Sequence, residues 1–468
     1  MKKRWTLLLG LLLINHFIYA QLPDENPELQ TAGIAYLVMD AQTGESILAH
    51  NEHISMTPAS GIKILPTASA LEKFGPEYQF ETSLAISGEV VGSVLKGNVY
   101  ILGGSDPALG SVRFQDQYYQ PVDFLNQWSD AIKAEGITRI EGDIIGSENQ
   151  RLNNKIPRTW IWEDIANYFG AAASMLNIYE NTYQLSFNTG SLAGEPTAIT
   201  KLTPRGMDLT FSNEVIAANG GGDQAYIFGV PESNERVIRG TLPMGHNSFV
   251  VKGAIPDPAL LAARHLHEQL EKDGISVDGK AGTGMPVETT QKIQSTYSPS
   301  LEKLIKITNH KSINLYANSL GLLFSDERIM DEACDEMTKF WNQKGMRTEG
   351  LKMEDACGLS PFNQISAYQL AYILKFMQDS KHASVFRASL PVAGKSGTLR
   401  YFGHRRDFSG KFAGKSGSMK RVYSYAGYLT TESKKEYIIV GILNRFDCSS
   451  REAKTALEDF VNTVYTTY

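Results

Sequence analysis

Cysteine is scarce in this sequence, and the patterns that usually bind metal ions are missing. The 468 residues include three cysteines, Cys334, Cys357 and Cys448, and nine scattered histidines. No CxxC pair and no Cys/His cluster has metal-ligand spacing, so we expect no metal and no cofactor. An odd number of cysteines leaves at least one thiol free. The sequence leaves open whether Cys357 pairs with Cys448, because connectivity does not follow from spacing.

Long apolar runs and an excess of positive charge are also missing from most of the chain. The apolar run at 5–14 follows three positive charges at 2–4 and is too short to span a bilayer comfortably. This pattern predicts a secretory signal peptide over 1–20, and no later stretch is typical of a transmembrane helix. The formal net charge is −6, and loss of the three N-terminal charges changes it to −9. Because proteins that bind nucleic acid are usually basic, we expect no nucleic acid partner.

Strand patterns stand at both ends of the chain. Alternating apolar residues around a turn predict a hairpin over 33–50, and the segments 422–431 and 436–444 predict a second one. We expect the two hairpins to join in a single sheet, with a last helix over 450–463. The composition, 42% hydrophobic and 21% charged residues, is ordinary for a globular protein, and the length indicates two or more folded units.

The middle of the chain has a different texture. From 83 to 285 short strand-like runs are broken by Gly, Asn and Pro, with one helical stretch from Asp257 to Lys272. Helical patterning returns at 301–308, 313–323 and 331–343. These patterns predict an α/β domain formed by 21–82 and 286–468, split by a mainly β insert in two subdomains.

A helix is predicted close to the start of the chain. Pro58 precedes an apolar-periodic stretch that ends at Gly75, which predicts a helix from about Ser60 to Phe74. Pro66 lies inside this stretch and is expected to kink the helix or to remove one backbone hydrogen bond.

Ser60 and Lys63 form a Ser-x-x-Lys pattern at the start of this helix. Positions three apart share a helix face, so the spacing can bring the lysine amine to the serine hydroxyl. A serine hydroxyl is a weak nucleophile until a base takes its proton. Lysine can be that base only if burial or a neighbouring cation lowers its pKa. Taken singly the pattern is weak evidence, because Ser300 and Lys303 repeat it and a surface helix also explains it.

Two further patterns are repeated in the chain. Ser-x-Asn occurs at 147–149, at 186–188 and at 312–314, where an N-cap or turn role is the simpler explanation of each copy. "AGKSG" occurs at 393–397 and at 413–417. Only the second copy continues at once into an alternating strand and a hairpin, whereas the first leads into a charged, glycine-containing loop. We therefore expect Lys415 to act in catalysis, and Lys395 to be solvated or to anchor its loop.

The order of these patterns is more specific than any one of them. Ser-x-x-Lys opening a helix, Ser-x-Asn beside a later helix and Lys-Ser/Thr-Gly on a strand near the C-terminus form a set with a known mechanism of acyl transfer from serine. The chain resembles the low-molecular-mass class C penicillin-binding proteins, the D-alanyl-D-alanine carboxypeptidase/endopeptidase family, over nearly its whole mature length. The segments that carry the resemblance are "PASGIKILPTASALEKFGPEYQFET", "ILGGSDPALGS", "WIWEDIANYFGAAASMLNIYEN", "GAIPDPALLAARHLHEQLEKDGISVDGKA", "NHKSINLYANSL", "LPVAGKSGTLR" and "GKFAGKSGSMKRVYSYAGYLTT".

The resemblance implies a fold, a reaction and a location. The fold is a split penicillin-binding transpeptidase/β-lactamase-like domain, a sheet flanked by helices, with a large and mainly β insert. The reaction is serine-type hydrolysis of peptidoglycan stem peptides that end in, or are cross-linked through, D-Ala, and β-lactams would acylate the same serine. The protein would act in the periplasm, without a membrane span once the signal peptide is removed.

The resemblance also assigns roles to individual residues. Ser60 would be the nucleophile and Lys63 its base, with Ser312 as a proton relay to the leaving amine. Asn314 would hold the substrate amide or the Lys63 amine. Lys415 would attract the terminal carboxylate of the substrate and help to keep Lys63 neutral. The remaining expected groups contact the substrate or its oxyanion and are Ser416, Gly417 and Ser418, the oxyanion lying between the N–H groups of Ser60 and Ser418.

The sequence departs from the family pattern at a few positions, and two other functions are compatible with the same motifs. Ser416 and Ser418 stand where Thr is commoner, and each keeps a hydroxyl. Cys357 stands where Ser is usual in a "DGSGLS" segment, and a small buried residue in a tight turn explains it better than a catalytic thiol. The same motif set also serves serine β-lactamases, and a non-catalytic peptidoglycan-binding scaffold is a further alternative. The sequence does not separate carboxypeptidase from endopeptidase action.

Overall fold

A computed structural model describes residues 22–114, 124–148, 155–231, 233–286 and 290–468 of this protein. The predicted signal peptide, 1–20, lies outside the described residues. Within the described ranges, no helix combines the length and the apolar character that crossing a membrane requires.

The strands and helices follow one another along the whole described chain. The strands are β1 (Gly33–Asp40), β2 (Ser46–His50), β3 (Glu81–Ser87), β4 (Glu89–Val91), β5 (Val94–Lys96), β6 (Val99–Leu102), β7 (Arg139–Ile140), β8 (Ile144–Ser147), β9 (Thr182–Asn188), β10 (Ala198–Thr203), β11 (Thr210–Ala218), β12 (Gln224–Phe228), β13 (Glu235–Pro243), β14 (Phe249–Ala254), β15 (Ser276–Val277), β16 (Ala281–Gly284), β17 (Thr290–Tyr297), β18 (Phe412–Met419), β19 (Val422–Thr430) and β20 (Glu436–Asn444). The α-helices are α1 (Ile64–Phe74), α2 (Phe124–Ala134), α3 (Trp162–Ile165), α4 (Pro258–Lys272), α5 (Leu301–Lys311), α6 (Asn314–Leu322), α7 (Met330–Gln343), α8 (Ala367–Asp379), α9 (Ala383–Ala388) and α10 (Ser450–Thr467). Short 3-10 helices are Pro23–Glu25, Pro27–Leu29, Ala59–Lys63, Val112–Phe114, Tyr168–Gly170, Tyr179–Asn181 and Gly397–Leu399.

The two ends of the chain meet in one sheet, as the sequence predicts. The order is β18-β19-β20-β1-β2, and every neighbouring pair is antiparallel. Helices cover both faces of this sheet. Leu37 and Met39 of β1 belong to a core with residues of α1, α6 and α8, whereas Tyr36 and Val38 belong to a core with residues of α10. The fold is therefore the predicted α/β class, a sheet flanked by helices.

The middle of the chain is mainly β, as expected. It forms the sheets β16-β8-β6-β3-β17, β15-β7-β5-β4, β10-β9-β14 and β11-β13-β12, which share one hydrophobic core with α2 and α4. The predicted helix at Asp257 to Lys272 is confirmed as α4, with Asp257 as its N-cap. The sequence reading missed α2, although Phe124, Trp128 and Ile132 recur at helical spacing and are buried.

One sheet crosses both predicted boundaries of this middle region. β3, which spans the predicted boundary at 83, pairs antiparallel with β17, which follows the predicted boundary at 285. We retain the division into 21–82 with 286–468, and 83–285, as a proposal. For brevity, 83–285 is called the insert below.

The helix expected to start at Ser60 begins differently. Residues Ala59–Lys63 form a 3-10 helix, and regular α1 begins only at Ile64. The end is as predicted, with Gly75 at a φ of 80° just after the last turn. Pro66 is the third residue of α1. The first N–H groups of an α-helix have no partner within the helix, so the N–H that proline lacks falls where none is needed.

Candidate active site

The 3-10 helix Ala59–Lys63 sets the geometry of the first pair. Side chains three apart are eclipsed in a 3-10 helix, so Lys63 lies directly over Ser60. The Lys63 Nζ atom is 2.8 Å from the Ser60 Oγ atom. Ala59, just before the serine, has a φ of 46°, a left-handed conformation that is costly for a residue with a Cβ. Strain of this kind is common where a side chain must be aimed at a site.

Lys63 is fully buried and contacts two further oxygens. Its Nζ lies 2.7 Å from Asn314 Oδ1 and donates to the carbonyl of Cys357 at 2.6 Å. Burial lowers the pKa of the Lys63 amine to about 8, while the nearby acidic groups of Cys357 and Asp355 act in the opposite direction. A lysine with this pKa has a usable neutral fraction near neutral pH, which a general base requires.

Ser312 and Asn314 lie at the junction of two helices. Ser312 has a φ of 56° and ends α5, and Asn314 is the first residue of α6. This break aims both side chains into the site. The Asn314 amide nitrogen donates to the backbone carbonyl of Phe169 at 2.7 Å, so its oxygen faces Lys63.

Lys415 lies on β18 with its side chain fully buried. Its Nζ donates to the Ser312 hydroxyl at 2.9 Å and to the Ser416 carbonyl at 2.6 Å. Burial, together with the positive charge of Lys63, lowers the pKa of Lys415 well below its ordinary range. Two lysines, two serines and one asparagine from separate parts of the chain therefore converge: Ser60, Lys63, Ser312, Asn314 and Lys415.

The other residues expected at the site lie on the same strand. Gly417 is so close to the serine turn that a Cβ there would lie 2.3 Å from the Pro58 carbonyl oxygen and 2.5 Å from the Gly61 nitrogen. The Ser416 hydroxyl is 2.7 Å from that of Thr398, and Ser418 is exposed near the end of β18. Gly417 thus permits β18 to pack against the turn. The family resemblance implies a contact of Gly417 with the substrate, which is a different role.

The repeated motif copies lie elsewhere or are turned away. Lys395, in the first "AGKSG", is exposed, and Gly397 and Thr398 after it begin a short 3-10 helix beside β18. Ser300 is the N-cap residue of α5. Ser147 and Ser186 lie on strands of the insert, β8 and β9.

Sequence reasoning missed the loop that supplies the Cys357 carbonyl. Asp355 is fully buried, and its carboxylate accepts from the backbone N–H groups of Cys357 at 2.9 Å and Ser360 at 2.7 Å, among others. Gly358 lies against Ala59, since a Cβ there would be 1.9 Å from the Ala59 carbonyl oxygen. The loop is the segment "DACGLSPFN" at 355–363, which holds the Cys357 departure from the "DGSGLS" pattern. The pattern does not show that a backbone carbonyl of this segment reaches the site.

A second missed residue is Ser424 on β19. It pairs with Gly417 across the sheet, and its hydroxyl donates to the Pro58 carbonyl at 2.5 Å. This hydrogen bond ties the hairpin to the turn that carries Ser60. The sequence signal that could have located it is its place on the strand that follows the Lys-Ser-Gly motif, where it pairs with Gly417.

The state of the cysteines and the grouping of the acidic residues bear on redox and metal chemistry. Cys334, Cys357 and Cys448 are all free thiols, so no disulfide joins Cys357 to Cys448. Burial raises the pKa of the Cys357 thiol well above its usual value, which disfavours a thiolate nucleophile. In the part of the chain that the structure describes, no group of three or more His, Cys, Asp or Glu residues could hold a metal ion.

Comparisons with known proteins place this geometry in a wider context. A model of the D-Ala-D-Ala carboxypeptidase 3 (S13) family matches residues 18–464. A D-alanyl-D-alanine carboxypeptidase from an Actinomadura species is 24% identical over 425 residues, 86% of this chain and 76% of the relative. The crystal structure of penicillin binding protein 4 from Haemophilus influenzae superposes with a TM-score of 0.77 at 22% identity, covering 96% of this chain and 98% of that one. The same protein complexed with a β-lactam gives a TM-score of 0.74 at 20% identity, with coverages of 94% and 98%.

Proposed function

Because this chain belongs to the D-Ala-D-Ala carboxypeptidase 3 (S13) family of serine peptidases, we propose that it hydrolyses D-alanyl-D-alanine bonds of peptidoglycan through an ester on Ser60. The observation that carries the proposal is the 2.8 Å distance between Ser60 Oγ and the fully buried Lys63 Nζ. The substrates are stem peptides that end in D-Ala-D-Ala or are cross-linked through D-Ala. The protein acts after export to the periplasm, directed by the signal peptide at 1–20.

The first step forms the acyl-enzyme. Neutral Lys63 takes the hydroxyl proton of Ser60 while Ser60 Oγ attacks the carbonyl carbon of the penultimate D-Ala. General base catalysis of this type is typically worth ~10² to 10⁴ in rate. The oxyanion that develops lies between the backbone N–H groups of Ser60 and Ser418. Loss of one such donor typically costs ~10² to 10³ in rate.

The leaving amine then receives a proton. Ser312 accepts a hydrogen bond from Lys415, and Asn314, two residues further on, contacts Lys63. Both contacts support a role of Ser312 as the relay that gives a proton to the D-Ala amine. The C–N bond breaks and D-Ala leaves with the proton that Lys63 had taken, passed on through Ser312. Lys63 is then neutral again, and the remaining peptide is held as an ester on Ser60. Water attacks this ester, Lys63 again accepts a proton, and Ser60 regains its own.

Lys415 is proposed to bind the terminal carboxylate of the substrate. The pKa of its amine is lowered, mainly by burial. An arriving carboxylate favours the charged form of a lysine, so binding of substrate would raise the pKa again and draw a proton onto Lys415. Substrates without this carboxylate would lack that interaction, which is a basis for selecting the end of a peptide.

β-Lactams are proposed to acylate Ser60 in the same way. The related penicillin binding protein 4 from Haemophilus influenzae has been solved with a β-lactam bound, which supports the proposal. The strained lactam carbonyl takes the position of the scissile amide, and its ring nitrogen stays attached after cleavage. Because that leaving group remains in the site, water reaches the ester slowly and the adduct persists.

Release of free D-Ala tests the proposed reaction. The purified mature protein would be incubated with a peptide that ends in D-Ala-D-Ala, and D-Ala would be measured over time. Ser60→Ala should abolish the release, while Ser300→Ala, which changes a repeat of the Ser-x-x-Lys pattern, should keep most of it. Retained release by Ser60→Ala would reject Ser60 as the nucleophile.

A further inference from the structure

Two oxygens besides that of Ser60 contact the Lys63 amine, and both are held by one segment of the insert. They are Asn314 Oδ1 at 2.7 Å and the Cys357 carbonyl at 2.6 Å. The segment is 159–170, which lies almost 100 residues after Lys63 in sequence and more than 140 before Asn314. The contacts that join this segment to the site run through two separate links.

The first link passes through Asn314. Its amide nitrogen donates to the Phe169 carbonyl at 2.7 Å. A carbonyl accepts hydrogen bonds and cannot donate them, so it holds the NH₂ end of the amide. The oxygen end of Asn314 is thereby turned towards Lys63.

The second link passes through Asp355. The Trp160 indole N–H donates to Asp355 Oδ2 at 2.7 Å, and both side chains are buried. The Asp355 carboxylate in turn accepts from the Cys357 N–H at 2.9 Å and so fixes the peptide whose carbonyl meets Lys63. The Trp160 ring also packs against Cys357 and Ala317. Nearby, the Ser360 hydroxyl donates a hydrogen bond to the Thr159 hydroxyl at 2.8 Å.

The segment itself is anchored to strands of the insert. Asn167 donates to the Glu163 carbonyl at 2.6 Å, and its side-chain oxygen accepts from the Ile227 N–H of β12 at 2.9 Å. The Ala254 N–H of β14 donates to the Ala166 carbonyl at 2.9 Å. The position of the segment is therefore set by the insert sheets, and it reaches the site as a fixed element.

We propose that the insert orients the lone pair of Lys63 towards Ser60, with Trp160 and the Phe169 carbonyl as positioning groups. A neutral amine has two N–H donors and one lone pair. Asn314 Oδ1 and the Cys357 carbonyl can only accept, so they take the two N–H groups. The lone pair that remains faces the Ser60 hydroxyl, which then donates to it. This inference rests on the proposed function of Lys63 as the base.

Loss of the Trp160 N–H has a predicted effect on rate and on pH dependence. With one donor fewer, Asp355 holds the Cys357 peptide less firmly, and the Lys63 amine is less well aimed. Loss of a hydrogen bond to a charged group typically changes an equilibrium constant by about tenfold or more. We expect the plateau acylation rate to fall by a similar factor, about tenfold. Because a carbonyl acceptor also favours the ammonium form, a looser acceptor lowers the Lys63 pKa and moves the pH midpoint of acylation to lower pH.

The test compares variants of the full-length mature protein with a chromogenic β-lactam as the probe. Trp160→Phe removes the N–H that donates to Asp355. Thr159→Val, a milder change, removes the nearby hydrogen bond with Ser360. Trp128→Phe is the matched control, because Trp128 is also buried, in the core of the insert, and donates to Thr296 at 2.8 Å and not to a residue of the site. For each variant the acylation rate is measured on both sides of the Lys63 pKa, and thermal unfolding is followed in parallel.

The expected result is a lower plateau and a lower midpoint for Trp160→Phe, and a smaller change in the same direction for Thr159→Val. Trp128→Phe should lower the unfolding temperature but keep the wild-type plateau and midpoint. The proposal is overturned if folded Trp160→Phe and Thr159→Val both keep the wild-type profile, or if the two tryptophan variants lose rate equally without a midpoint change. Failure of the proposed function itself is distinguishable, because the wild-type protein would then form no adduct on Ser60.

Discussion

Gly417 on β18 and Gly61 in the turn that carries Ser60 lie backbone against backbone. A Cβ added at Gly417 would be 2.5 Å from the Gly61 nitrogen, and one added at Gly61 would be 2.4 Å from the Ser424 hydroxyl oxygen. The strand that carries Lys415 can therefore approach the nucleophile only because neither residue has a side chain. This contact joins the two ends of the chain at the place where the chemistry is proposed.

Gly417→Ala should separate the strand from the turn. Overpacking of this type typically costs about 1 to 3 kcal/mol of stability, and here it also displaces Lys415 from Ser312. We expect a lower unfolding temperature and a loss of acylation that exceeds the loss of folded protein. Gly282→Ala, where a Cβ meets nothing within 4 Å, is the control and should leave both quantities unchanged. A fully active, fully stable Gly417→Ala protein would contradict the close-packing account.

The pH dependence of acylation should report the Lys63 amine. Its pKa is lowered to about 8 by burial, and only the neutral form can take the Ser60 proton. The rate should therefore be low where Lys63 is protonated, rise through a midpoint near that value, and level off above it. Lys63→Arg keeps a cation that cannot act as a base, and it should lose acylation at every pH. A wild-type rate that falls as pH rises through this range would exclude neutral Lys63 as the base.

The two copies of "AGKSG" should respond differently to the same substitution. Lys415→Ala removes a buried amine that contacts Ser312, and we expect D-Ala release to fall by roughly 100-fold or more, in line with the loss of a charge-stabilising donor. Lys395→Ala removes an exposed side chain, and we expect most of the activity to remain. The reverse result, with Lys395→Ala inactive and Lys415→Ala active, would show that the catalytic lysine is Lys395 and not Lys415.

Thiol reactivity should separate the cysteines by burial. Cys334 and Cys357 are buried, whereas Cys448 is partly exposed, and all three are free. A thiol reagent should modify Cys448 first in the folded protein and reach the other two only after unfolding. Modification of Cys448 should leave β-lactam acylation intact, and Cys357→Ser should do the same, because Lys63 donates to the backbone carbonyl of Cys357, which the substitution keeps. Loss of acylation on the Cys357→Ser change alone would indicate a role for the thiol.

The parts of the fold that depend on local pattern were predictable. Both hairpins, the helix at α4 and the shared sheet follow from periodicity and turn residues. The start of the helix at Ser60 was not predictable, since the 3-10 turn there is packed between Gly417 on one side and Gly358 on the other. These contacts are tertiary, and local propensity carries no information about them. α2 was missed because it interrupts a region whose neighbours all have strand character.

The residues of the candidate site also divide into those that the sequence predicts and those that it does not. Ser60, Lys63, Ser312, Asn314 and Lys415 could be named because their side chains form motifs in a recognisable order. The groups that position them could not, because they act through backbone carbonyls, as at Phe169 and Cys357, or through buried side chains far away in sequence. Trp160 and Asp355, 195 positions apart, meet only in the folded chain.

The most direct test of the account is mass spectrometry of the purified mature protein after incubation with penicillin. The adduct would be located by peptide digestion, with free drug followed in parallel and Ser60→Ala as the control. The account predicts a stable adduct of one drug per protein on the peptide that contains Ser60, and no adduct on Ser60→Ala. Rapid drug loss without a lasting adduct would identify a β-lactamase instead. Intact drug with an unmodified protein would indicate a scaffold without turnover, and either result would contradict the account.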